Sequence, residues 1–270
     1  MERRTVKRWM TAAEHWLYAN QLKSTDRLSL PDFLGIGAQK SGTSWLHLNL
    51  RQHPDAFLPE LKELHYFDQR FQEPLATYAK YFSPARNRIK GEITPAYAIL
   101  PVEHIRYIRA VMPNLRLIFL MRNPIERAWS HAVMILVTQA GREFADVSPA
   151  EFIEHFRSEA NLSRGDYQTV IENWLSVFDS EQLYLGLFER IADRPIELLR
   201  EIFRHLGLRE DVNWEEFPYR EKVYAGPGIV MPEEYRGILR ELYAPKIRRL
   251  RGILGPCVDE WLLDSGSQNV

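Results

Sequence analysis

The sequence predicts an α/β protein, a three-layer sandwich in which helices cover both faces of a central, mostly parallel sheet. Two observations carry that expectation. Phe33 to Ala38, Leu115 to Met121 and Leu183 to Phe188 have the continuous apolar character of strands buried on both faces. Between them lie longer segments whose apolar residues recur at helical spacing, the alternation that builds parallel sheets. At 270 residues and 45% hydrophobic content the chain can bury a large core. We expect one domain, with an amino-terminal helical extension over 1–32, a core over 33–262 and a frayed tail over 263–270.

Taken in order, the first element is a helix. Val6, Trp9, Ala13, Trp16 and Leu17 form one stripe, accompanied by Arg3, Arg4, Lys7 and Arg8. A basic amphipathic helix can make peripheral contact with a membrane, but the expectation here is docking on its own domain. The first strand is followed by loop-type residues, and Ser44 to Arg51 opens a helix through Trp45, Leu46, Leu48 and Leu50. The strand from Leu115 stops at Arg122. Asn123 then suits a helix cap, Pro124 its first position and Glu126 a capping-box acid, so a helix should run from Pro124 to about Val137. Tyr167 to Phe178 reads as helical, and Pro195 to Leu206 as an amphipathic helix closed by Gly207. Glu215 to Pro232, with Pro218, Gly226, Pro227 and Gly228 around Ala225, reads as a long loop before helical spacing resumes from Pro232 to Leu254.

Charge narrows the function. Lys plus Arg number 35 against 36 Asp plus Glu, a net charge of −1, so no basic field argues for nucleic acid and any anion site is local. No stretch reaches the ~18–20 apolar residues of a spanning helix, and the amino terminus lacks the apolar run of a signal peptide. The single cysteine, Cys257, cannot form an internal disulfide, reads as a small buried residue, and fits a reducing, cytoplasmic setting.

The chemistry begins after the first strand, at Gly37-Ala38-Gln39-Lys40-Ser41-Gly42-Thr43-Ser44-Trp45. Small and polar residues placed where a strand hands over to a helix aim backbone N–H groups and the positive end of the helix dipole at one point, which suits phosphate or sulfate. An ATP-binding loop needs Lys immediately after its second glycine and then Ser or Thr for Mg²⁺. Here Thr43 and Ser44 follow Gly42, Lys40 lies inside the loop, and the next buried strand ends at Arg122 rather than at a metal-binding Asp. The sandwich is therefore P-loop-like, with a metal-free anionic donor fitting better than Mg·ATP.

Gln39-Lys40-Ser41-Gly42-Thr43-Ser44 after a strand resembles the 5′-phosphosulfate loop of the sulfotransferases that use 3′-phosphoadenosine 5′-phosphosulfate (PAPS). With Ile36 to Thr43 and then His53-Pro54, it is similar to the branch of heparan sulfate and other carbohydrate sulfotransferases. The resemblance implies donor contacts from Gln39, Lys40, Ser41, Gly42, Thr43, Ser44 and Trp45. It further implies that Lys40 stabilises the leaving group, and that Arg122 and Ser130, eight residues apart in Arg122-Asn123-Pro124-Ile125-Glu126-Arg127-Ala128-Trp129-Ser130, hold the 3′-phosphate. Arginine presents a planar fork to phosphate oxygens, and the helix start adds N–H donors.

Lys62-Glu63-Leu64-His65-Tyr66-Phe67-Asp68 resembles the family segment that supplies a catalytic glutamate. Glu63 takes that position as general base if burial raises its pKa, with His65 as the alternative. Gly91-Glu92-Ile93-Thr94-Pro95-Ala96-Tyr97 resembles a segment lining the acceptor cleft. There Glu92 is expected to bind a hydroxylated acceptor or form an ion pair, and Ile93 stands where heparan-acting relatives often carry Lys. Tyr167, Trp174 and Gln182 to Glu189 follow the family pattern as packing positions.

The implied function is sulfuryl transfer from PAPS, without a metal, to a hydroxyl or, less readily, an amine of a small-molecule or glycan acceptor: a sugar, glycolipid or secondary metabolite. A P-loop nucleotide kinase and a catalytically silent nucleotide-binding module are the alternatives. Neither the acceptor nor the oligomeric state is legible in the sequence.

Overall fold

The computed structural model describes residues 2–223 and 226–263, with side chains from residue 9 onward. Ala225, the tail over 264–270 and the side chains of Arg3, Arg4, Val6, Lys7 and Arg8 lie outside the described residues.

Helix α1 (Glu2–Ala19) precedes strand β1 (Phe33–Gly37), and α2 (Thr43–Gln52) follows it. Strand β2 (Ala56–Phe57), α3 (Leu75–Ala79), β3 (Ile89–Ile93) and α4 (Val102–Val111) come next. Strand β4 (Arg116–Met121) leads into α5 (Pro124–Val133), which widens into a π-helical turn over Met134–Gln139 where the sequence pointed to unbroken helix. Then follow α6 (Pro149–Arg157), α7 (Glu159–Arg164), α8 (Tyr167–Leu175), β5 (Leu183–Leu187), α9 (Arg190–Asp193), α10 (Pro195–Leu206) and α11 (Glu233–Leu254).

The five strands pair in parallel in the order β2-β3-β1-β4-β5. Strand residues alternate between two cores, as the pleat requires. Leu34, Ile36, Leu117, Phe119 and Met121 join the larger apolar cluster on one face, while Phe33, Ile93, Ile118 and Leu120 join the smaller one beneath α2 and α10. Strand β3 escaped the apolar-run criterion because Lys90, Gly91 and Glu92 interrupt it. Gly91 is needed there: a Cβ would stand 2.4 Å from the Phe33 ring on β1. Helix α10 ends as expected, with Gly207 left-handed at φ 74°.

Two expectations fail by burial. Cys257 is exposed. Helix α1 does dock on the domain, but through Thr11, His15 and Tyr18, with His15 against Tyr66, Phe71 and Tyr107 and Tyr18 buried in the same cluster. The stripe expected to face the domain points away, leaving Trp9 and Trp16 74% and 59% exposed. The polar-looking face carries two rings that fit an aromatic cleft, and that fit outweighs the periodicity of the stripe.

Candidate active site

Loops from three neighbouring strands meet at the carboxyl edge of the sheet, because β1 lies between β3 and β4 and all run the same way. This crevice is where open parallel sheets bind ligands. After β1, the Ala38 N–H donates to the Leu120 carbonyl at 2.6 Å and ties the loop to β4. Gly42, just before α2, has φ 80°, and a Cβ there would stand 2.3 Å from Ile191 and 3.1 Å from Phe188. Only glycine fits. Lys40 is itself left-handed at φ 70°, a costly conformation for a side-chain-bearing residue. The loop so held offers the first N–H groups of α2, the chemistry of an anion cradle.

Burial first, and then the Arg122 charge, pull the Lys40 ammonium below its ordinary pKa. Burial lowers Arg122 too. The Arg122 Nη1 donates to the Lys40 carbonyl at 3.4 Å, and its guanidinium lies 4.7 Å over the Phe188 ring. Two desolvated cations side by side are stabilised by an arriving anion. The residues present therefore fit an anionic ligand.

Asn123 caps α5 as the sequence indicates, its Oδ1 accepting from Ile125 N–H at 3.0 Å. The return bond expected from Glu126 comes instead from Glu189, whose Oε1 accepts the Asn123 N–H at 3.1 Å. Glu126 pairs with Arg236 at 2.9 Å. Ser130 is half-buried in α5, seven residues beyond Asn123 and so on the same side of the helix. Trp45 is packed in the core with its N–H on the Tyr219 carbonyl at 2.9 Å. Tyr167 supports the site, its hydroxyl donating to the Arg122 carbonyl at 2.8 Å, while Trp174 donates to the Ala98 carbonyl at 3.3 Å.

The Lys62–Asp68 segment lies over the end of β3. His65 joins two carboxylates, with Nε2 3.1 Å from Glu63 Oε2 and Nδ1 2.8 Å from Asp68 Oδ2. Lys62 Nζ stands 3.5 Å from Glu63 Oε1. The two candidate bases are thus neighbours in one line. The Glu63 side chain is 24% exposed, so it remains reachable from solvent. At the end of α7, Arg164 feels Asp68 and Glu63, which oppose the lowering of its pKa by burial and by Arg127.

This segment is held from below by hydroxyls. Thr94 Oγ1 accepts the Leu64 N–H at 3.2 Å, and the Tyr97 hydroxyl accepts the Tyr66 N–H at 2.9 Å. Both hydroxyls donate in turn to Glu92, at 2.6 and 2.8 Å, as does Tyr78 at 3.0 Å. Burial pushes the Glu92 carboxyl up to about 7 against the opposing pull of these bonds. Glu92 is 2% exposed, and three hydroxyls take the place of the expected acceptor contact or ion pair. Ile93 is buried as well and turns into the smaller core cluster beside Gly35.

Sequence reasoning missed Lys62, Asp68, Arg164 and buried Arg127, whose Nη2 donates to the Asn161 side chain at 2.6 Å and to Tyr243 at 3.2 Å. Lys62 and Asp68 bound the quoted motif and Arg127 lies within the Arg122–Ser130 run, so their places in those runs were the findable signal, and Arg164 had none. A cavity of about 610 Å³ lined by Tyr18, Lys23, Arg106, Arg109 and Pro113 lies near the start of β4, and neither Lys40 nor Arg122 lines it. Among the described residues no three His, Cys, Asp or Glu side chains gather as metal ligands, and no helix is long and apolar enough to cross a membrane.

A human heparan sulfate glucosamine 3-O-sulfotransferase 6 is 29% identical over 254 residues, covering 85% of this chain and 73% of its own. The chain spans about half the length of most curated relatives it matches, and 22% of one. A sulfotransferase structure from Alicyclobacillus acidocaldarius superposes with a TM-score of 0.69 at 24% identity, covering 87% of this chain and 99% of that one. A mouse sulfotransferase, SULT7A1, complexed with PAP gives 0.56 at 18% identity, covering 90% and 93%. Both carry the same fold. The family model described as the sulfotransferase domain matches residues 30–216, well over half of the chain, and the chain therefore belongs to the sulfotransferase family.

Proposed function

We propose that this chain transfers the sulfuryl group of PAPS to a hydroxyl of a sugar, glycolipid or secondary metabolite. The observation that carries the reading is the Arg122–Lys40 contact across β4 and β1, which supports two anion sites serving one nucleotide. The N–H groups and hydroxyls of Gln39, Ser41, Gly42, Thr43 and Ser44 receive the 5′-phosphosulfate. Arg122 and Ser130 receive the 3′-phosphate, and Trp45 fixes the loop from beneath. The acceptor oxygen bonds to sulfur as the bond from sulfur to the 5′-phosphate oxygen breaks. Lys40 neutralises the charge left on that oxygen, and Glu63 takes the acceptor proton. His65, tied to Asp68, orients Glu63. The human relative is named for transfer to an oxygen of glucosamine, which supports a hydroxyl acceptor, with an amine as the less favoured alternative. We read 33–262 as the catalytic domain and 1–32 as its helical extension, and the lone cysteine supports a cytoplasmic setting.

Radiolabelled sulfuryl transfer from PAPS, screened against sugars, glycolipids and phenols, tests the reading. Transfer to a hydroxylated acceptor without added metal is expected. Phosphoryl transfer from Mg·ATP in its place would overturn it.

A further inference from the structure

We propose that the outward face of α1 is a docking surface for an anionic lipid bilayer. The inference does not depend on which acceptor the site sulfates. Among the described residues ten large apolar side chains are exposed, and five of them, Trp9, Met10, Trp16, Leu17 and Leu22, fall within fourteen residues. Trp9, Met10 and Leu22 are 74%, 68% and 66% exposed. The helix is not loose: His15 on its other side lies 4.7 Å from the Phe71 ring and 4.8 Å from the Tyr107 ring. A helix seated by one face that keeps two tryptophans on the other presents an apolar surface its own domain does not cover.

The charge of the helix selects the occupant. Arg3, Arg4, Lys7 and Arg8 occupy the two turns before Trp9, while of the two acids, Glu2 and Glu14, the latter is paired with Lys23 at 2.5 Å. Basic residues with tryptophan and aliphatic side chains on one short helix match an interface that is anionic at its surface and apolar beneath. A second protein copy would satisfy the apolar face but would set the basic turns against their own kind if two helices met in parallel. The seat matters as well. Phe71, against which His15 packs, lies three residues beyond Asp68, so the docking helix braces the segment that carries Glu63 and His65. A bilayer held by α1 thus has a fixed relation to the acceptor side of the site.

The test uses the full chain in flotation with phosphatidylcholine vesicles, with and without phosphatidylserine, at low and high salt. Binding is expected only to the phosphatidylserine vesicles, weakened by salt. The double variant Trp9→Ala with Trp16→Ala should bind at least about tenfold more weakly, and replacing Arg3, Arg4, Lys7 and Arg8 by Ser should do the same. Because no residue of α1 is assigned to the donor site, both variants should keep the thermal shift produced by adenosine 3′,5′-bisphosphate, which separates lost docking from lost fold. No binding of the unaltered chain to anionic vesicles, or undiminished binding of the tryptophan variant, overturns the proposal. So does a dimer in sedimentation that the tryptophan variant dissolves while vesicle binding is absent, since the face would then join two copies.

Discussion

At the scale of single residues the site depends on groups held in conformations or environments they would not choose alone. Glu63→Gln removes the proton acceptor but no donor contact. Turnover should fall roughly 10²–10⁴-fold in a transfer assay while the nucleotide still raises the melting temperature. Unchanged turnover would transfer the base role elsewhere, with His65, 3.1 Å away, the first to examine. Glu92 makes a different claim. Its folded pKa, about 7, lies above the ordinary 4.5, so the folded state binds the proton more tightly than the unfolded one. Its contribution to stability is complete below 4.5 and is lost as pH rises towards 7. Urea unfolding at pH 5 and 7.5 should show the unaltered protein losing stability relative to Glu92→Gln over that window, by roughly 3 kcal/mol at most. Equal pH slopes would mean that Glu92 titrates normally.

At the scale of elements, the turn from β1 to α2 decides whether there is an anion site. Gly42→Ala introduces a methyl into Ile191 and Phe188 at φ 80°. It should cost at least about 1–2 kcal/mol of stability and blunt the nucleotide-induced thermal shift. An unperturbed shift would show that the loop does not carry the ligand. This turn was legible in the sequence because its chemistry is local: strand, small residues, glycine and helix follow one another. The same holds for Asn123 and Pro124 at the start of α5. Glu189, which supplies the bond expected from Glu126, was not legible, because it comes from the end of β5 and meets Asn123 only through strand order. The docking face of α1 was misread for a related reason. Periodicity reveals which residues share a face, but whether that face finds a partner depends on the aromatic cleft around Phe71 and Tyr107.

For the whole molecule, the strand order places the loops of β1 and β4 side by side and hangs the Glu63 segment over β3 on the other flank. On the proposed reading, donor and acceptor chemistry are thereby placed on either side of β1, which suits an in-line transfer. That layout follows from connections no local pattern encodes, which explains why Arg164, from α7, came to the Glu63 segment only with the fold. Arg122 lies at the joint. Losing its charged hydrogen bonds should weaken donor binding by roughly ten- to a hundredfold.

Calorimetric titration with adenosine 3′,5′-bisphosphate and with adenosine 5′-monophosphate, in the absence of Mg²⁺, tests most directly whether two anion sites grip one nucleotide. The bisphosphate should bind at least about tenfold more tightly, and Arg122→Ala should abolish that advantage while leaving the monophosphate affinity nearly unchanged. Equal affinities in the unaltered protein, or tighter binding of Mg·ATP than of the bisphosphate, would contradict the account.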